Sequence, residues 1–175
     1  KQLGKVTIVC KDRPGFVVNR FFVPWLNEAV RLLEEGVSDI PTIEAAARST
    51  FAIGMGPFEL MNVTGIHIAH HALAAMEREM GEFYRPARLL GEQVEKKILW
   101  DLSGTAQTGA LVEAVSRRLL GVVFGLACQI VDEEVCGRED VYRGAKVGLR
   151  WTEGPFELMN KLSILTSKDF VESVA

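Results

Sequence analysis

The clearest residue that could do chemistry in this chain is Asn19. It falls in the first turn of a strongly apolar segment, Phe16 to Leu33, which predicts a buried helix. A neutral amide there could donate a hydrogen bond to a substrate oxygen that gains negative charge, with no change of protonation. A first-turn asparagine also commonly bonds to nearby backbone, and the spacing alone favours that interpretation.

A second candidate is the group of His67, His70 and His71. Their i, i+3 and i, i+4 spacing can bring ligands onto one helix face. The HExxH pattern of zinc enzymes is absent, and no third ligand from elsewhere is evident in the sequence. We therefore expect surface or packing histidines and predict no metal site.

A seven-residue string occurs twice and organises the whole chain. Gly56–Asn62 returns letter for letter as Gly154–Asn160. The same offset aligns further residues upstream without a gap: Arg20 with Arg118, Ala29 with Ala127, Glu35 with Glu133, Val37 with Val135 and Ile43 with Val141. The chain is therefore predicted to hold two copies of one helical unit.

The elements of the first copy follow from local signals. Lys5–Cys10 is short and β-branched and predicts one strand, best explained as the end of a sheet that is otherwise missing. The segments after this strand are all predicted to be helical. Pro24 is expected to kink the first of these helices. The predicted helices are Phe16–Leu33, one from the Ser38-Asp39-Ile40-Pro41 start signal to Ala52, one that begins at Pro57 and is broken at Gly65, Ile66–Met80, and one from Pro86 to about Leu99.

The second copy repeats this order over a shorter length. It is predicted to contain a long buried helix from Leu111 to about Glu134, a short one around Glu139 to Leu149, and the second Gly-Pro-Phe-Glu segment. The predicted division is a residual strand and linker at 1–12, helical repeat 1 at 13–102, a small polar linker at 103–109, and a degenerate repeat 2 at 110–175. The fold class is all-α.

Composition excludes several classes of protein. With 48% apolar and 25% charged residues the chain has a globular profile, and a net charge of −3 gives no basic surface for nucleic acid. The longest uncharged apolar run, Leu119 to Val131, is too short to span a membrane. Three cysteines without CxxC spacing (Cys10, Cys128 and Cys136) predict reduced thiols in a cytoplasmic protein.

Several motifs in one order resemble a known family. Asp12-Arg13-Pro14-Gly15-Phe16-Val17-Val18-Asn19-Arg20 is followed by Val23–Ala29, then Glu35-Gly36, then Ile40–Ala47, and finally Gly54–Leu60. This succession resembles the C-terminal domain of L-3-hydroxyacyl-CoA dehydrogenases, strongly over about Lys5 to Met80. Arg117 to Asn160 resembles a degenerate second copy, as in the multifunctional β-oxidation proteins that fuse the dehydrogenase to an enoyl-CoA hydratase.

The resemblance implies a helical bundle like the C-terminal domain of 6-phosphogluconate dehydrogenase. It also implies a preceding Rossmann domain that binds NAD and carries the catalytic His, its Glu partner and a Ser. No GxGxxG follows a strand here, so those groups are expected outside this sequence. The strand at Lys5–Cys10 would be the tail of that domain, and the fragment alone would be inactive.

The resemblance also assigns roles to individual residues. Asn19 matches the family's active-site Asn, near the 3-oxygen of the substrate, whereas the aligned residue of the second copy is Arg117. Asn27 and Glu28, which become Gly125 and Leu126, are more simply an interhelical or solvated polar pair. The Gly-Pro pairs, Gly56-Pro57 and Gly154-Pro155, are expected to be structural, as are Glu59 and Glu157 in the following first turns. Family members usually end this domain in a glycine-rich tail with a lysine near the cofactor, and Glu95–Trp100 lacks those glycines.

The function predicted from the resemblance is one part of an NAD-dependent L-3-hydroxyacyl-CoA dehydrogenase of fatty-acid β-oxidation. The fragment would form the substrate-side wall of the cleft and a dimer-like core between its two long helices. The expected partners are an acyl-CoA, the missing Rossmann domain, a fused hydratase and a second copy in a homodimer, with no nucleic acid and no membrane. Two alternatives remain: the helical domain of another 3-hydroxy-acid dehydrogenase, and a non-catalytic dimerisation or scaffold module.

Overall fold

The computed structural model describes residues 4–174, and every regular element in that range is a helix. The strand predicted at Lys5–Cys10 is therefore wrong. β-branched residues favour a strand only where a neighbouring backbone can pair with them. Beside this segment, a single backbone hydrogen bond of 2.8 Å joins the N–H of Lys11 to the carbonyl of Val135. One such bond does not make a β-ladder.

The helices begin and end close to the predicted signals. They are α1 Val18–Glu34, α2 Ile40–Phe51, α3 Pro57–Thr64, α4 Ile66–Met80, α5 Arg88–Lys96, α6 Ala110–Asp132, α7 Arg138–Arg143, α8 Pro155–Lys161 and α9 Ile164–Glu172. A 3₁₀ turn, Glu82–Tyr84, precedes α5, and α7 continues into a π turn at Gly144–Gly148. The sequence reading missed α9 and placed the end of α5 too late, because Lys97 ends that helix in the left-handed conformation (φ 54°).

The core forms where α1 and α6 pack against each other, as the apolar character of both helices predicted. The start of α1 contacts the end of α6 and vice versa, so the two helices run antiparallel. Trp25 and Phe51 are buried beside Trp151, with ring centroids 4.6–5.9 Å apart. Aromatic pairs at such separations add to the burial energy of their large side chains. Pro24 lies inside α1, and the helix continues past it to Glu34.

Helix α6 is long and apolar enough to cross a membrane by length and composition. A core helix passes the same test, and α6 packs against α1, α2 and α9. Burial among these helices accounts for its apolar character without a bilayer.

The limits of the helices repeat at the offset that separates the two seven-residue strings. Aligned positions begin α2 and α7 (Ile40 and Arg138), α3 and α8 (Pro57 and Pro155), and α4 and α9 (Ile66 and Ile164). Aligned positions also end α1 and α6. The local backbone therefore follows the order of the sequence repeat through four pairs of elements.

Two ion pairs between α1 and the region of α6 are reciprocal. Arg20 contacts Glu133 at 2.6 Å, and the residues aligned with them, Arg118 and Glu35, contact each other at 2.7 Å. In an isologous contact residue i meets j while j meets i. These two ion pairs have that relation within one chain.

The two Gly-Pro turns have the same backbone but different neighbours. Gly56 and Gly154 are both extended N-caps, with φ of −81° and −78°. Buried Glu44 accepts hydrogen bonds from the N–H groups of Phe58 (2.7 Å) and Glu59 (3.3 Å), which satisfies the N-terminus of α3. In the second copy Glu157 instead accepts the N–H of Gly154 at 2.7 Å. Both Gly-Pro pairs begin a helix, which is the position that the sequence predicted for them.

This difference makes a matched pair of substitutions informative. A Cβ at Gly56 would lie 2.5 Å from Oε2 of Glu44, whereas one at Gly154 would lie 3.2 Å from Cδ2 of Tyr142. Both positions have φ values that alanine adopts freely. Alanine lowers the conformational entropy of the unfolded chain by a similar amount at each position, so this stabilising contribution cancels when the two variants are compared. We expect Gly56→Ala to destabilise the protein by about 2 kcal/mol more than Gly154→Ala, because it displaces the cap of α3. Urea denaturation midpoints measure this, and equal midpoints would contradict it.

Candidate functional site

The turn before α1 fixes the start of that helix. Gly15 has φ +75°, and a Cβ there would lie 2.4 Å from Cε of Met76 and 3.0 Å from the backbone N of Arg20. Only glycine fits under α4 in this conformation. The tight turn therefore holds the first residues of α1 at a set position on α4.

Phe16 is in a strained and exposed position. It has φ +50°, which is unusual for a bulky side chain, and it is 58% exposed. Such a conformation costs about 1–2 kcal/mol and persists only when the surroundings impose it. The exposed ring of Phe16 therefore lies three residues before Asn19 in the sequence, at the same end of α1.

Asn19 lies in the first turn of α1 with its side chain exposed. Within residues 4–174 its amide makes no hydrogen bond, so the local backbone bond that spacing alone favoured is not formed. The amide is free to donate to an incoming oxygen. The sequence placed Asn19 correctly in the first turn, and its role at a substrate stays a prediction.

The residue after Asn19 anchors the helix. Arg20 is 1% exposed and its Nη2 lies 2.6 Å from Oε2 of Glu133 at the end of α6. The other oxygen of Glu133 accepts from Gln129 at 2.8 Å. Burial raises the pKa of the neighbouring Tyr84, while the Arg20 guanidinium opposes that rise. The buried cation thus ties the turn that bears Asn19 to the second long helix.

Arg117, which aligns with Asn19, contacts side chains of α9 in its own repeat. Its guanidinium lies 2.8 Å from Asp169 and stacks over the ring of Phe170 at 5.5 Å, both on α9. A cation held this way cannot serve as a neutral amide donor. The two copies therefore differ at this position in both chemistry and availability.

Asn27 and Glu28 do not line an exposed surface. Both are buried, and Asn27 bonds to the carbonyl of Arg85 (2.9 Å) and the N–H of Ala87 (2.8 Å). Glu28 pairs with Arg118 across the α1–α6 contact, and burial raises its pKa above the usual range while Arg118 opposes that rise. Glu28 is thus interhelical, as the sequence suggested, whereas Asn27 bonds to the backbone that precedes α5.

The histidines lie along α4. The rings of His67 and His71, and those of His70 and His71, have centroids 6.1 Å apart. Across the described part of the chain no group of three His, Cys, Asp or Glu side chains could hold a metal ion. His70 is half-buried and faces Gly91 of α5, which is a packing position.

Sequence reasoning missed one feature next to Asn19 and another at the start of α3. One is the strained Phe16, for which Gly15-Phe16 after proline was the available signal. The other is Glu44, whose capping role depends on a contact between α2 and α3 that no spacing rule reveals. Residues 4–174 form no strand followed by a glycine-rich turn and a helix, which is the Rossmann arrangement for a dinucleotide.

The described residues form an all-helical domain with the exposed amide of Asn19 at the start of α1. Residues 15–106, more than half of the sequence, match the family described as "3-hydroxyacyl-CoA dehydrogenase, C-terminal domain". The chain therefore belongs to the family of 3-hydroxyacyl-CoA dehydrogenase C-terminal domains.

Individual relatives agree with this assignment. The mitochondrial hydroxyacyl-coenzyme A dehydrogenase of Mus musculus is 38% identical over 107 residues, covering 59% of this chain and 34% of that protein. A probable 3-hydroxybutyryl-CoA dehydrogenase of Deinococcus radiodurans is 33% identical over 105 residues, covering 59% and 38%. The chain thus spans about a third of the length of these relatives.

A solved structure shares the fold. The crystal structure of 3-hydroxybutyryl-CoA dehydrogenase from Escherichia coli K12 superimposes with a TM-score of 0.82 at 16% identity. The match covers 98% of this chain and 58% of the other. At this identity the comparison shows the fold alone.

Proposed function

We propose that this chain is the helical, substrate-side part of an NAD-dependent L-3-hydroxyacyl-CoA dehydrogenase that acts in fatty-acid β-oxidation. The observation that carries the proposal is the exposed amide of Asn19 on a helix start held by Gly15 and Arg20. Preorganised donors stabilise developing charge because they need not reorganise during the reaction. The Asn19 amide would donate to the 3-oxygen of the acyl chain.

The cofactor would be bound by a separate domain. We place the hydride acceptor and the general base in the Rossmann domain that the resemblance implies. This chain would contribute orientation of the substrate and one hydrogen bond, while the cofactor supplies the redox chemistry. The predicted cytoplasmic location and the fused hydratase form part of the same proposal.

The two long helices would form an internal pseudo-dimer. Aligned helix limits and the reciprocal Arg20–Glu133 and Arg118–Glu35 pairs support two copies related by a pseudo-two-fold axis. The exposed amide of the first copy is replaced by a tethered Arg117 in the second. Because of this asymmetry, the first copy would hold the substrate site and the second copy would have only a structural role.

A chimera tests the proposal. The dinucleotide-binding domain of the Mus musculus relative would be fused ahead of residue 11 of this chain. We expect NADH formation from L-3-hydroxybutyryl-CoA and NAD by the chimera and none by the chain alone, because only the chimera holds the base and the cofactor site. The absorbance of NADH reports the rate.

The control is the same relative cut and rejoined at the equivalent junction. If that control turns over while the chimera folds and binds NAD without turnover, the dehydrogenase proposal fails. The reciprocal ion pairs would then favour the scaffold alternative, in which the repeat serves only to hold polypeptides together.

A further inference from the structure

Two of the three cysteines lie where the segment before α1 meets the loop after α6. Cys10 is half-buried and Cys136 is 9% exposed, and both line a cavity of about 570 Å³ together with Lys11 and Val135. Cys128, on α6, is exposed and does not line this cavity. All three cysteines are free thiols in this structure. Two thiols far apart in the chain therefore face one small space.

A backbone hydrogen bond brings these two cysteines together. The N–H of Lys11 donates to the carbonyl of Val135 at 2.8 Å. Lys11 follows Cys10 and Val135 precedes Cys136, so each partner of this bond is one peptide link from the Cα of a cysteine. Standard peptide dimensions and a near-linear hydrogen bond then place the two Cα atoms roughly 4–6 Å apart. Disulfides span Cα separations of about 4.4–6.8 Å, so the backbone needs little movement to close one.

Other contacts hold the same two stretches of chain together. The Nζ of Lys11 lies 3.0 Å from Oε2 of Glu134 and donates to the carbonyl of Glu133 at 3.3 Å. On the other side of the cysteines, a Cβ on Gly144 would lie 3.6 Å from Cδ1 of Ile8. The thiols are thus flanked in both directions by contacts that keep them close.

The two thiols differ in their readiness to react. Burial raises the pKa of Cys136 to about 11, and the nearby Asp140 and Cys10 act in the same direction. Cys136 therefore stays protonated at neutral pH, whereas the thiolate is the form that attacks a disulfide. Cys10 is the more exposed of the pair and can meet a small disulfide first. Cys136 is then placed to resolve the adduct.

We propose that Cys10 and Cys136 form a reversible disulfide when the protein meets a low-molecular-weight disulfide such as glutathione disulfide. The Cys10 thiolate attacks one sulfur, which forms a mixed disulfide and releases the first glutathione. The Cys136 thiolate then attacks the Cys10 sulfur, which closes the bridge and releases the second glutathione. Two protein thiols are oxidised, one glutathione disulfide is reduced to two thiols, and two protons pass from the protein to glutathione.

The bridge would fix the chain that enters α1 against the end of α6. It closes a loop that contains α1 to α6, and long closed loops restrict the unfolded chain most. Under the proposed function Cys10 lies at the join to the cofactor domain, so oxidation would also restrain movement between the two domains. That consequence alone rests on the proposed function. The disulfide itself is a property of this chain and is tested without turnover.

The Cys128→Ser chain isolates the proposed pair. With glutathione disulfide at about pH 8, where more of each thiol is ionised, it should lose two hydrogens. The tryptic peptide Val6–Lys11 should then be joined to Leu119–Arg138, in which Cys136 is the remaining cysteine. The thermal midpoint of the bridged protein should rise by roughly 5–10 °C. Mass spectrometry and thermal denaturation, each with and without a reducing agent, measure these changes.

Further substitutions in the Cys128→Ser chain identify the two steps. With Cys136→Ala the mixed disulfide cannot resolve, so one glutathione should stay on Cys10. With Cys10→Ala the remaining thiol is buried and protonated, so glutathione should be added at least about tenfold more slowly. Circular dichroism of each variant checks that the fold is retained.

The urea-unfolded Cys128→Ser chain is the reference for proximity. In mixtures of reduced and oxidised glutathione, the folded chain should be half bridged at a proportion of oxidised glutathione roughly tenfold or more below that needed by the unfolded chain. The proposal is overturned if the folded chain collects glutathione without bridging or does not react. It is also overturned if folded and unfolded chains bridge at the same proportion.

Discussion

Asn19→Ala in the chimera should lower kcat by about 10²–10³-fold, because one preorganised donor to a developing oxyanion contributes about this much. KM should change far less, since the amide interacts more strongly with the charged oxygen of the transition state than with the ground state. Asn19→Asp should be at least as slow, because it replaces the N–H donor with a carboxylate of the same size. Steady-state rates of NADH formation measure both variants.

The control for this experiment is the aligned residue of the second copy. Arg117→Ala removes an exposed ion pair with Asp169, which is worth about 0–1 kcal/mol of stability, and should leave kcat unchanged. Equal losses of kcat in Asn19→Ala and Arg117→Ala would show that both substitutions act by disturbing the folded structure rather than the reaction. A silent Asn19→Ala in a folded, active chimera would remove Asn19 from the chemistry.

Arg118→Met should lower the free energy of unfolding by about 3 kcal/mol at neutral pH. The substitution leaves Glu28, which is 2% exposed, without its main counter-charge. Breaking a buried pair from one side costs about 3–5 kcal/mol, and the lower end applies here because Arg31 remains 3.7 Å from Glu28. Glu35→Gln should cost less than about 1 kcal/mol, because Glu35 is half exposed.

The deficit of Arg118→Met should depend on pH in a defined direction. Burial raises the pKa of Glu28 above 4.5, and Arg118 opposes that rise. A carboxyl with a higher pKa in the folded state favours folding when protonated; this contribution is complete below its unfolded pKa and is lost as pH rises through the folded pKa. Without Arg118 the pKa of Glu28 rises further, so the deficit should be small near pH 4.5 and should grow toward pH 8.

A double-mutant cycle tests the same mechanism. Adding Glu28→Gln to Arg118→Met removes the uncompensated charge, so it should recover much of the lost stability. Urea denaturation of the four proteins at two pH values provides the measurement. A deficit that is the same at both pH values, or additive losses in the cycle, would show that Arg118 acts through packing of its side chain alone.

The sequence by itself determined the starts of most helices and their order, although it predicted a strand at Lys5–Cys10 that does not form and missed α9. Asp39 and Pro41 start α2, Gly65 separates α3 from α4, and the repeated seven-residue string sets the starts of α3 and α8. Helix starts and stops are local, because caps and prolines act through the backbone of the next few residues. For the same reason Asn19 could be placed in the first turn of α1 from sequence alone.

The tertiary structure decided which residues of those helices contact one another and which become buried. The reciprocal ion pairs of Arg20 and Arg118, and the cap that Glu44 provides, join positions far apart in the chain. The same string buries Phe58 under Trp100 but leaves Phe156 only partly buried. Burial and charge pairing depend on which distant residue arrives at a surface, and identical local sequences cannot encode that difference.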